Sequence, residues 1–278
     1  MAIKYKVNCF VFTSSIAVYG SIFDDQLKVA DSKAESSPVA EDIKPAPEDP
    51  YGISKYAFEL DLKAAHELFG IDFVIFRPHN VYGPHQNMFD KYRNVVGIFI
   101  NQIFHDRPLT VFGDGEQTRA FSYISDVAPV IADGPLVAKA RNEIFNVGAD
   151  TPYTVNVLSD EIKDALGKPD HPIKKEPARL EVVNAVSNHD KVKAYFGVPE
   201  AVSLKDGLAK TITWYKDQGS MFKPVEFESV EIIENMPPSW LRDDLKQTAI
   251  CTGTRAGIRA ASDGSPARKK PKFDSAEL

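Results

Sequence analysis

Two short apolar runs, separated by a helical pattern, dominate the first third of the chain. Residues 7–14 and 72–76 are continuous and rich in β-forming residues, which is typical of strands buried on both faces. Between them, residues 51–69 carry apolar side chains at helical spacing, and Gly70 predicts where that helix ends. The apolar positions of the helix are Ala57, Leu60, Ala64, Ala65 and Leu68. Strand, helix and strand in this order predict two parallel strands joined by a helical crossover.

After residue 90 the alternation is less regular, but it still predicts a mixture of strands and helices. We expect strands over 109–113, 119–124 and 143–147. We expect helices over 94–104, 126–140, 155–166, 189–196 and 203–218. Residues 24–50 are charged and rich in proline, so they predict a long loop, whereas residues 251–278 are small, polar and charged and predict a disordered tail.

The composition refines this picture by excluding other classes of protein. The 278 residues are 43% hydrophobic and 26% charged, which is ordinary for a soluble globular protein. A formal net charge of −6 leaves no basic surplus for a nucleic-acid partner, and no apolar run reaches the ~18 residues of a membrane helix. Cys9 falls in a predicted buried strand, so we expect no disulfide with Cys251 and a reducing, cytoplasmic location.

Candidate chemistry lies at the end of the first strand and at the start of the first helix. Ser14 and Ser15 follow the strand, and Tyr51 and Lys55 are four residues apart, which places them on one helical face. A lysine ammonium one turn from a tyrosine favours the phenolate, which can act as a base, while a nearby serine hydroxyl can hydrogen-bond a substrate oxygen. Tyrosine and lysine at this spacing also occur by chance on surface helices, so other motifs must support the pair.

An ordered string of motifs is more specific than any one of them. Its members are TSSIAVYG (13–20), PYGISKYAFE (50–59), FRPHNVYGPHQN (76–87), NVVGIFINQI (94–103), PLTVFGDGEQTRAFSYISDVA (108–128), FNVG (145–148) and ARLEVVNAVSNHDKVKAYFG (178–197). In these motifs the chain resembles the extended short-chain dehydrogenase/reductase family, in its nucleotide-sugar epimerase and dehydratase branch. The resemblance implies an α/β fold, with the C-terminal part of a Rossmann-like doubly wound parallel sheet and a smaller, interleaved α/β substrate domain.

Carried over position by position, the resemblance implies a catalytic group and a cofactor contact. Ser15, Tyr51 and Lys55 resemble the catalytic residues of the family, with Tyr51 as the base and Lys55 as its partner. Lys55 also resembles the residue that bonds the nicotinamide ribose, and Tyr51 and Ser14 are expected beside the same cofactor, NAD. Together these residues imply removal of a proton and a hydride from a sugar.

The same carry-over implies a binding site for the diphosphate of a nucleotide sugar. Ser14 and Asn80 resemble substrate contacts, and Arg119 and Arg179 resemble the two arginines that hold the diphosphate. Guanidinium groups suit this task because each can make paired hydrogen bonds to anionic oxygens. Surface salt bridges are the alternative role for both arginines.

Three neighbouring side chains have structural interpretations. His79 and His85 flank NVYGP, but no carboxylate or cysteine lies at ligand spacing beside them, so we expect no metal site. Arg77 stands at the end of the second strand, where we expect it to partner a buried carboxylate or carbonyl. None of the three is added to the candidate site.

One family motif is absent from the sequence. The family binds NAD through a GxxGxxG turn after its first strand, whereas Gly113-Asp-Gly115 continues as GxGxxT and TGTRAGIR (252–259) lacks a following helix and strand. We therefore expect that roughly a hundred residues of strand–helix units are missing before residue 1. A sheet without its first strands would expose apolar faces, so we also expect a poorly stable or aggregation-prone chain.

The resulting interpretation divides the chain into four segments. We expect a residual dinucleotide-binding domain over 1–80 and a mostly substrate-binding domain over 81–220. A C-terminal extension over 221–250 and the tail over 251–278 follow. A homodimer built on the helix over 51–69 is implied by analogy with the family.

The expected reaction is NAD-dependent 4-epimerisation of a UDP-hexose through a 4-keto intermediate, compromised in this truncated chain. The alternatives are an inactive nucleotide-sugar-binding remnant and an incomplete gene model of an epimerase or dehydratase. A dehydratase is disfavoured because Ile16-Ala17, and not an Asp-Glu pair, follow Ser15.

Overall fold

The computed structural model describes residues 1–20, 22–23, 38–88, 90, 94–178, 182 and 184–218. The chain divides into two units, Met1–Val225 and Glu226–Leu278, and every described residue lies in the first. The predicted extension over 221–250, the predicted tail over 251–278 and the candidate Arg179 lie outside the described residues, as do residues 24–37 of the predicted loop.

Within these ranges, short strands and longer helices follow one another in mixed order. The strands are β1 (Cys9–Thr13), β2 (Asp72–Pro78), β3 (Val81–Tyr82), β4 (Leu109–Phe112), β5 (Thr118–Ala120), β6 (Ser122–Tyr123), β7 (Glu143–Val147), β8 (Pro152–Thr154), β9 (Ile173–Glu176) and β10 (Asn184–Ala185). The helices are α1 (Pro50–Phe69), α2 (Val95–Phe104), α3 (Ile124–Asp133), α4 (Val155–Ala165), α5 (Asp190–Phe196) and α6 (Leu204–Asp217). Short 3-10 turns cover Ile16–Tyr19, Gly134–Leu136 and Ala138–Ala140.

A parallel sheet in the order β1-β2-β7 forms the centre of the fold. Cys9 of β1 lies opposite Asp72 of β2, and Glu143 of β7 lies opposite Val74 of β2. α1 makes the crossover from β1 to β2, as the sequence predicts. β2 is buried along most of its length, whereas β1 is half-buried, so the prediction of two strands covered on both faces is wrong for β1.

Helices cover both faces of this sheet. On one face, Leu62 of α1 packs with Phe73 and Ile75 of β2. On the other face, Val74 and Phe76 of β2 pack with residues of α3 and α5. Because successive strand residues point to opposite faces, β2 contributes to both cores. The predicted α/β class, with a doubly wound parallel sheet, is confirmed.

A second hydrophobic core lies among α2, α4 and α6. Its buried members include Phe99 of α2, Leu158 of α4 and Leu208 of α6. The smaller sheets around it pair as β10-β5-β8, β3-β6 and β4-β9. These elements form the smaller α/β part, and they alternate along the chain with the strands of the central sheet.

α1 begins and ends close to the predicted bounds, but its buried face differs from the predicted one. Leu60 is 47% exposed and Leu68 is 74% exposed, so much of the predicted apolar stripe faces away from the core. The buried residues of the helix are Gly52, Glu59 and Leu62. A carboxylate can be buried at Glu59 because charged and polar partners meet it there, as described below.

Other predicted elements are shorter than expected or were missed. The helix predicted over 126–140 ends at Asp133, where Gly134 and Pro135 begin a 3-10 turn. The strand predicted over 119–124 is divided between β5 and β6, and α3 begins at its last residue. The sequence did not predict β3, β8, β9 and β10, because two to four residues are too few to show a period.

The structure bears on two expectations from composition, which concern the cysteines and membrane-spanning helices. Cys9 is a half-buried free thiol, and burial raises its pKa; Cys251 lies outside the described residues. In the part of the chain that the structure describes, no helix combines the length and the apolarity needed to cross a membrane.

Candidate functional site

The carboxyl ends of β1, β2 and β7 meet at one edge of the central sheet, the usual place for ligands in parallel sheets. The first turn of α1 approaches this edge closely. A Cβ atom at Gly52 would lie 2.6 Å from the carbonyl oxygen of Ala17, so the glycine permits the contact. The edge therefore gathers the residues after β1 and the first turns of α1.

Ser15 begins the 3-10 turn that follows β1. Its backbone is extended, and its Oγ accepts a hydrogen bond from the Ala17 N–H at 3.2 Å. The side chain is half-buried. Because Oγ acts as an acceptor in this contact, its own proton can be donated to a ligand at the sheet edge.

Tyr51 and Lys55 lie in the first two turns of α1. Asp49 caps the helix by accepting from the backbone N–H groups of Tyr51, at 2.8 Å, and Gly52, at 3.0 Å. Lys55 Nζ donates to the carbonyl oxygen of Thr13 at 2.8 Å and lies 5.6 Å from the centre of the Tyr51 ring. Tyr51 is 37% exposed. The end of β1 thus holds the ammonium beside the exposed tyrosine ring, as the candidate catalytic group requires.

Ser14 faces the interior. It is buried, and its Oγ donates to Glu59 Oε1 at 2.5 Å. Glu59 follows Lys55 by one helical turn, so this contact fixes the catalytic face of α1 to the end of β1. The substrate and cofactor contacts expected of Ser14 stay predictions.

Glu59 is the centre of a buried charged network that sequence reasoning missed. Arg77 donates to it twice, from Nε at 2.9 Å and from Nη2 at 2.6 Å. Arg77 Nη1 also donates to the Tyr19 hydroxyl at 2.8 Å, and that hydroxyl donates to Asn146 Oδ1 at 2.8 Å. Burial favours neutral Arg77, but the hydrogen bonds to Glu59 outweigh it, and the pKa of Arg77 is raised.

The network joins the ends of all three central strands to α1. It confirms the prediction that Arg77 partners a buried carboxylate. The sequence signal for Glu59 was its place eight residues after Tyr51, on the face that carries Lys55. The name Glu59–Arg77 network is used below for Ser14, Tyr19, Glu59, Arg77 and Asn146.

Asn80 and Arg119 are joined through Ala120, the last residue of β5. Asn80 Nδ2 donates to the carbonyl oxygen of Ala120 at 3.1 Å, next to Arg119. Arg119 Nη1 donates to the carbonyl oxygen of Thr118 at 2.8 Å, and Nη2 to that of Val182 at 2.6 Å. The two candidates therefore share β5 as a support, whereas Arg179 lies outside the described residues.

Two buried histidines lie next to this pair. His79 Nε2 and His189 Nε2 are 3.0 Å apart, and the rings are stacked with centres 5.0 Å apart. His189 Nδ1 lies 2.6 Å from Asp150 Oδ1, and Lys193 Nζ donates to Asp150 Oδ2 at 2.6 Å. The hydrogen bond from His189 and then the one from Lys193 hold the pKa of Asp150 below its usual range. Sequence reasoning missed His189, which lies far from His79 along the chain.

A cleft of about 320 Å³ opens beside this cluster. Asp150, His189 and Lys193 line it together with Asp126 and Glu200. Among the described residues, no three His, Cys, Asp or Glu side chains are placed to hold a metal ion.

The described fold is similar to solved nucleotide-sugar epimerases. The structure of UDP-glucose 4-epimerase from Thermotoga maritima with UDP-glucose is 31% identical, with a TM-score of 0.67 over 78% of this chain and 66% of that one. The Thermus thermophilus UDP-glucose 4-epimerase complex with NAD is 27% identical, with a TM-score of 0.67 over 79% of this chain and 67% of that one.

Relatives in sequence have similar names. A Methanocaldococcus jannaschii protein, provisionally named a UDP-glucose 4-epimerase, is 34% identical over 215 residues, which are 77% of this chain and 65% of that protein. Other relatives are named dTDP-glucose 4,6-dehydratase. The chain thus spans about two-thirds of the length of this first relative.

The motifs of the candidate site fall within a family match. The model of the NAD dependent epimerase/dehydratase family matches residues 1–148, which include the edge of the central sheet and the candidates Ser15, Tyr51, Lys55, Asn80 and Arg119. The match covers more than half of the sequence and agrees with the fold of the solved epimerases. On these grounds the chain belongs to the NAD-dependent epimerase/dehydratase family.

Proposed function

We propose that this chain binds a UDP-linked hexose and supplies the proton-transferring residues for its 4-epimerisation. The observation that carries the proposal is the placement of Ser15, Tyr51 and Lys55 at one sheet edge, with Lys55 bonded to the end of β1. The similar proteins named UDP-glucose 4-epimerases favour this substrate over others.

The diphosphate of the substrate would meet Asn80 and Arg119. The carbonyl oxygens of Thr118 and Val182 accept from the Arg119 guanidinium and so fix the plane in which it would meet anionic oxygens. Asn80 adopts a left-handed backbone with φ of 39°, and its amide is fixed on Ala120. Arg179 is proposed as the second cationic contact on the strength of the family resemblance.

In the proposed reaction, the phenolate form of Tyr51 takes the proton of the sugar 4-hydroxyl. Lys55 keeps a positive charge beside the phenolate, and Ser15 donates a hydrogen bond to the reacting sugar oxygen. Bound NAD supplies the acceptor and later the donor of the hydride at C4. Tyr51 then returns its proton to the oxygen of the 4-keto sugar when the hydride arrives on the other face.

The residues present fit one end of NAD. The half-buried Lys55 ammonium uses one donor on Thr13, so its other N–H bonds suit a ribose hydroxyl. The 278 residues contain no GxxGxxG turn, the motif whose backbone N–H groups would bind the pyrophosphate of NAD. A module that binds nucleotide sugars without catalysing epimerisation is the second candidate function, because Asn80 and Arg119 could serve binding alone.

Calorimetry with UDP-glucose and NAD+, followed by an epimerisation assay, separates the two functions. Binding of UDP-glucose and NAD+ with turnover supports the epimerase, and binding of UDP-glucose alone supports the binding module. Absence of UDP-glucose binding would contradict both.

If turnover is observed, Tyr51→Phe should lower kcat by about a hundredfold or more, because the substituted ring cannot take a proton. The affinity for UDP-glucose should change little. Tyr5→Phe is the matched control, since Tyr5 is an exposed tyrosine that precedes the amino end of β1. Equal losses in both variants would contradict the role of Tyr51.

A further inference from the structure

The His79–His189 pair, called the histidine pair below, has a proton count fixed by its neighbours. His79 Nδ1 faces the carbonyl oxygen of Ala120 at 2.9 Å, and a carbonyl only accepts, so this nitrogen carries a proton. His189 Nδ1 faces the Asp150 carboxylate at 2.6 Å and donates to it. The two Nε2 atoms face each other at 3.0 Å, and a hydrogen bond between them needs one proton.

With that hydrogen bond formed, the pair carries one positive charge. Three of its four ring nitrogens bear protons in the arrangement described. Burial, and then the charge of His189, lower the pKa of His79 to about 3. His79 is thus disfavoured as the charged member of the pair.

The pair supports the proposed diphosphate contacts from both sides of β5. The Ala120 carbonyl accepts from His79 Nδ1 and also from Asn80 Nδ2. β10 pairs with β5 with Ala185 opposite Arg119, and Ser187 two residues later contacts His189 Nε2 at 3.0 Å. The Nε2–Nε2 hydrogen bond therefore ties the segment of Asn80 to the segment beyond β10.

We propose that the histidine pair is a positioning element of the nucleotide-sugar site, which holds Asn80 and Arg119 in place and favours an anionic ligand through one shared proton. The proposal rests on the proposed binding of a nucleotide sugar. His79 and His189 act through their neighbours and touch no reacting atom in this scheme.

The shared proton makes the surroundings of the pair one unit more positive than they are without it. Asp150 offsets the charge of the pair, and Lys193 adds a positive charge bonded to the same carboxylate. Asp126 and Glu200 line the cleft on the side of His189, and Asp190 begins α5 with its carboxylate on Asn188. The pair, Asp150 and Lys193 together carry one net positive charge, whereas Asp126, Glu200 and Asp190 add negative charge that does not depend on the shared proton.

Loss of the shared proton would disrupt the pair. Two unprotonated Nε2 atoms would then face each other as acceptors, and the Ser187 hydroxyl could donate to His189 only. His79 would be left with a buried, unpaired acceptor, which is costly. The affinity for an anionic ligand should therefore fall as the pH rises and the shared proton leaves.

The test measures UDP-glucose affinity by calorimetry between about pH 6 and about pH 9, the range in which histidine protons are exchanged. His189→Asn keeps a donor for Asp150, and His189→Gln keeps a group near Nε2, but both remove the charge. We expect both variants to bind about five times more weakly than the wild type at low pH and to lose the pH dependence. His171→Gln, at a histidine that contacts Arg107 away from the pair, should leave the affinity and its pH dependence unchanged.

Wild-type affinity and pH dependence in both His189 variants would overturn the proposal while leaving the proposed function intact. No binding by the wild type would overturn the proposed function and the link between the pair and a ligand. Nitrogen-15 NMR of labelled histidine tests independently whether one proton lies between the two Nε2 atoms. One Nε2–H signal coupled to both rings is expected, and two neutral Nε2 atoms at low pH would overturn the proton count.

Discussion

Two buried charged clusters stand at the same edge of the fold and differ in how they are charged. The Glu59–Arg77 network joins two groups of opposite kind, with a guanidinium donating twice to a carboxylate. The histidine pair joins two groups of the same kind, and its central hydrogen bond exists only while one proton is present. The first cluster is held by donors that an arginine always carries, whereas the second depends on a shared proton.

The difference matches what each cluster supports. The Glu59–Arg77 network fixes the face of α1 that carries Lys55, so the candidate catalytic residues are supported by the hydrogen bonds of Arg77 and Ser14 to Glu59. The histidine pair supports the segments of Asn80 and Arg119, which are proposed to bind an anion. The geometry of the catalytic group should therefore survive changes of pH that alter the binding contacts.

The largest effect is expected from breaking the Glu59–Arg77 network. Glu59→Ala leaves the Arg77 guanidinium buried without its carboxylate, so the free energy of unfolding should fall by about 3–5 kcal/mol in urea denaturation. Glu67→Ala, at an exposed position of the same helix, is the control and should change it little. The double variant Glu59→Leu with Arg77→Met should recover much of the loss, and equal instability in the double variant would contradict a charge effect.

A smaller effect is expected from acid on the histidine pair. The pKa of His79 is lowered to about 3 in the folded chain, so between about pH 6.5 and pH 3 the unfolded chain binds the extra proton. Stability due to this group is therefore full above about pH 6.5 and falls as the pH falls, by about 2.7 kcal/mol at pH 4.5.

Urea denaturation of the wild type and of His79→Gln, at about pH 6.5 and at about pH 4.5, measures this effect. The variant should lose less stability on acidification than the wild type does, because it has no imidazole at this position to protonate. His171→Gln should behave as the wild type does. Parallel curves for the wild type and His79→Gln would show that His79 does not carry the effect.

The smallest effect is expected from Ser14. Ser14→Ala removes one hydrogen bond to Glu59, but both oxygens of that carboxylate keep a donor on Arg77, so the loss should be about 1 kcal/mol. Ser125→Ala, at an exposed serine, is the control. A loss as large as that of Glu59→Ala would mean that Ser14, and not Arg77, is the main partner of Glu59.

Much of the fold could be predicted because its central elements are long or strongly apolar. β2, β7 and α1 show their period within a few residues, and Gly70 ends α1 with a left-handed backbone as expected. The burial of α1 was not predictable from its own sequence. Its inner face is set by Glu59, whose burial depends on a guanidinium supplied by β2.

The candidate site was predictable in part for a similar reason. Ser15, Tyr51 and Lys55 occur in motifs that a single sequence displays, and the structure places them at the sheet edge. The histidine pair was not predictable, because its two members are brought together only when β5 and β10 pair. Arg77 was predictable because it ends a buried strand, where a charged side chain needs a partner.

The strand order of the central sheet has a consequence for the order in which the chain folds. β2 pairs on one side with a strand that precedes it by the length of a loop and α1, and on the other with a strand that follows after α2 and α3. Each pairing closes a long loop before any strand contact is gained, so the sheet is expected to assemble slowly and after its helices. During that interval β2, which is buried along most of its length in the folded chain, has neither neighbouring strand in place. The rate at which both strands pair with it is expected to decide the yield of folded chain.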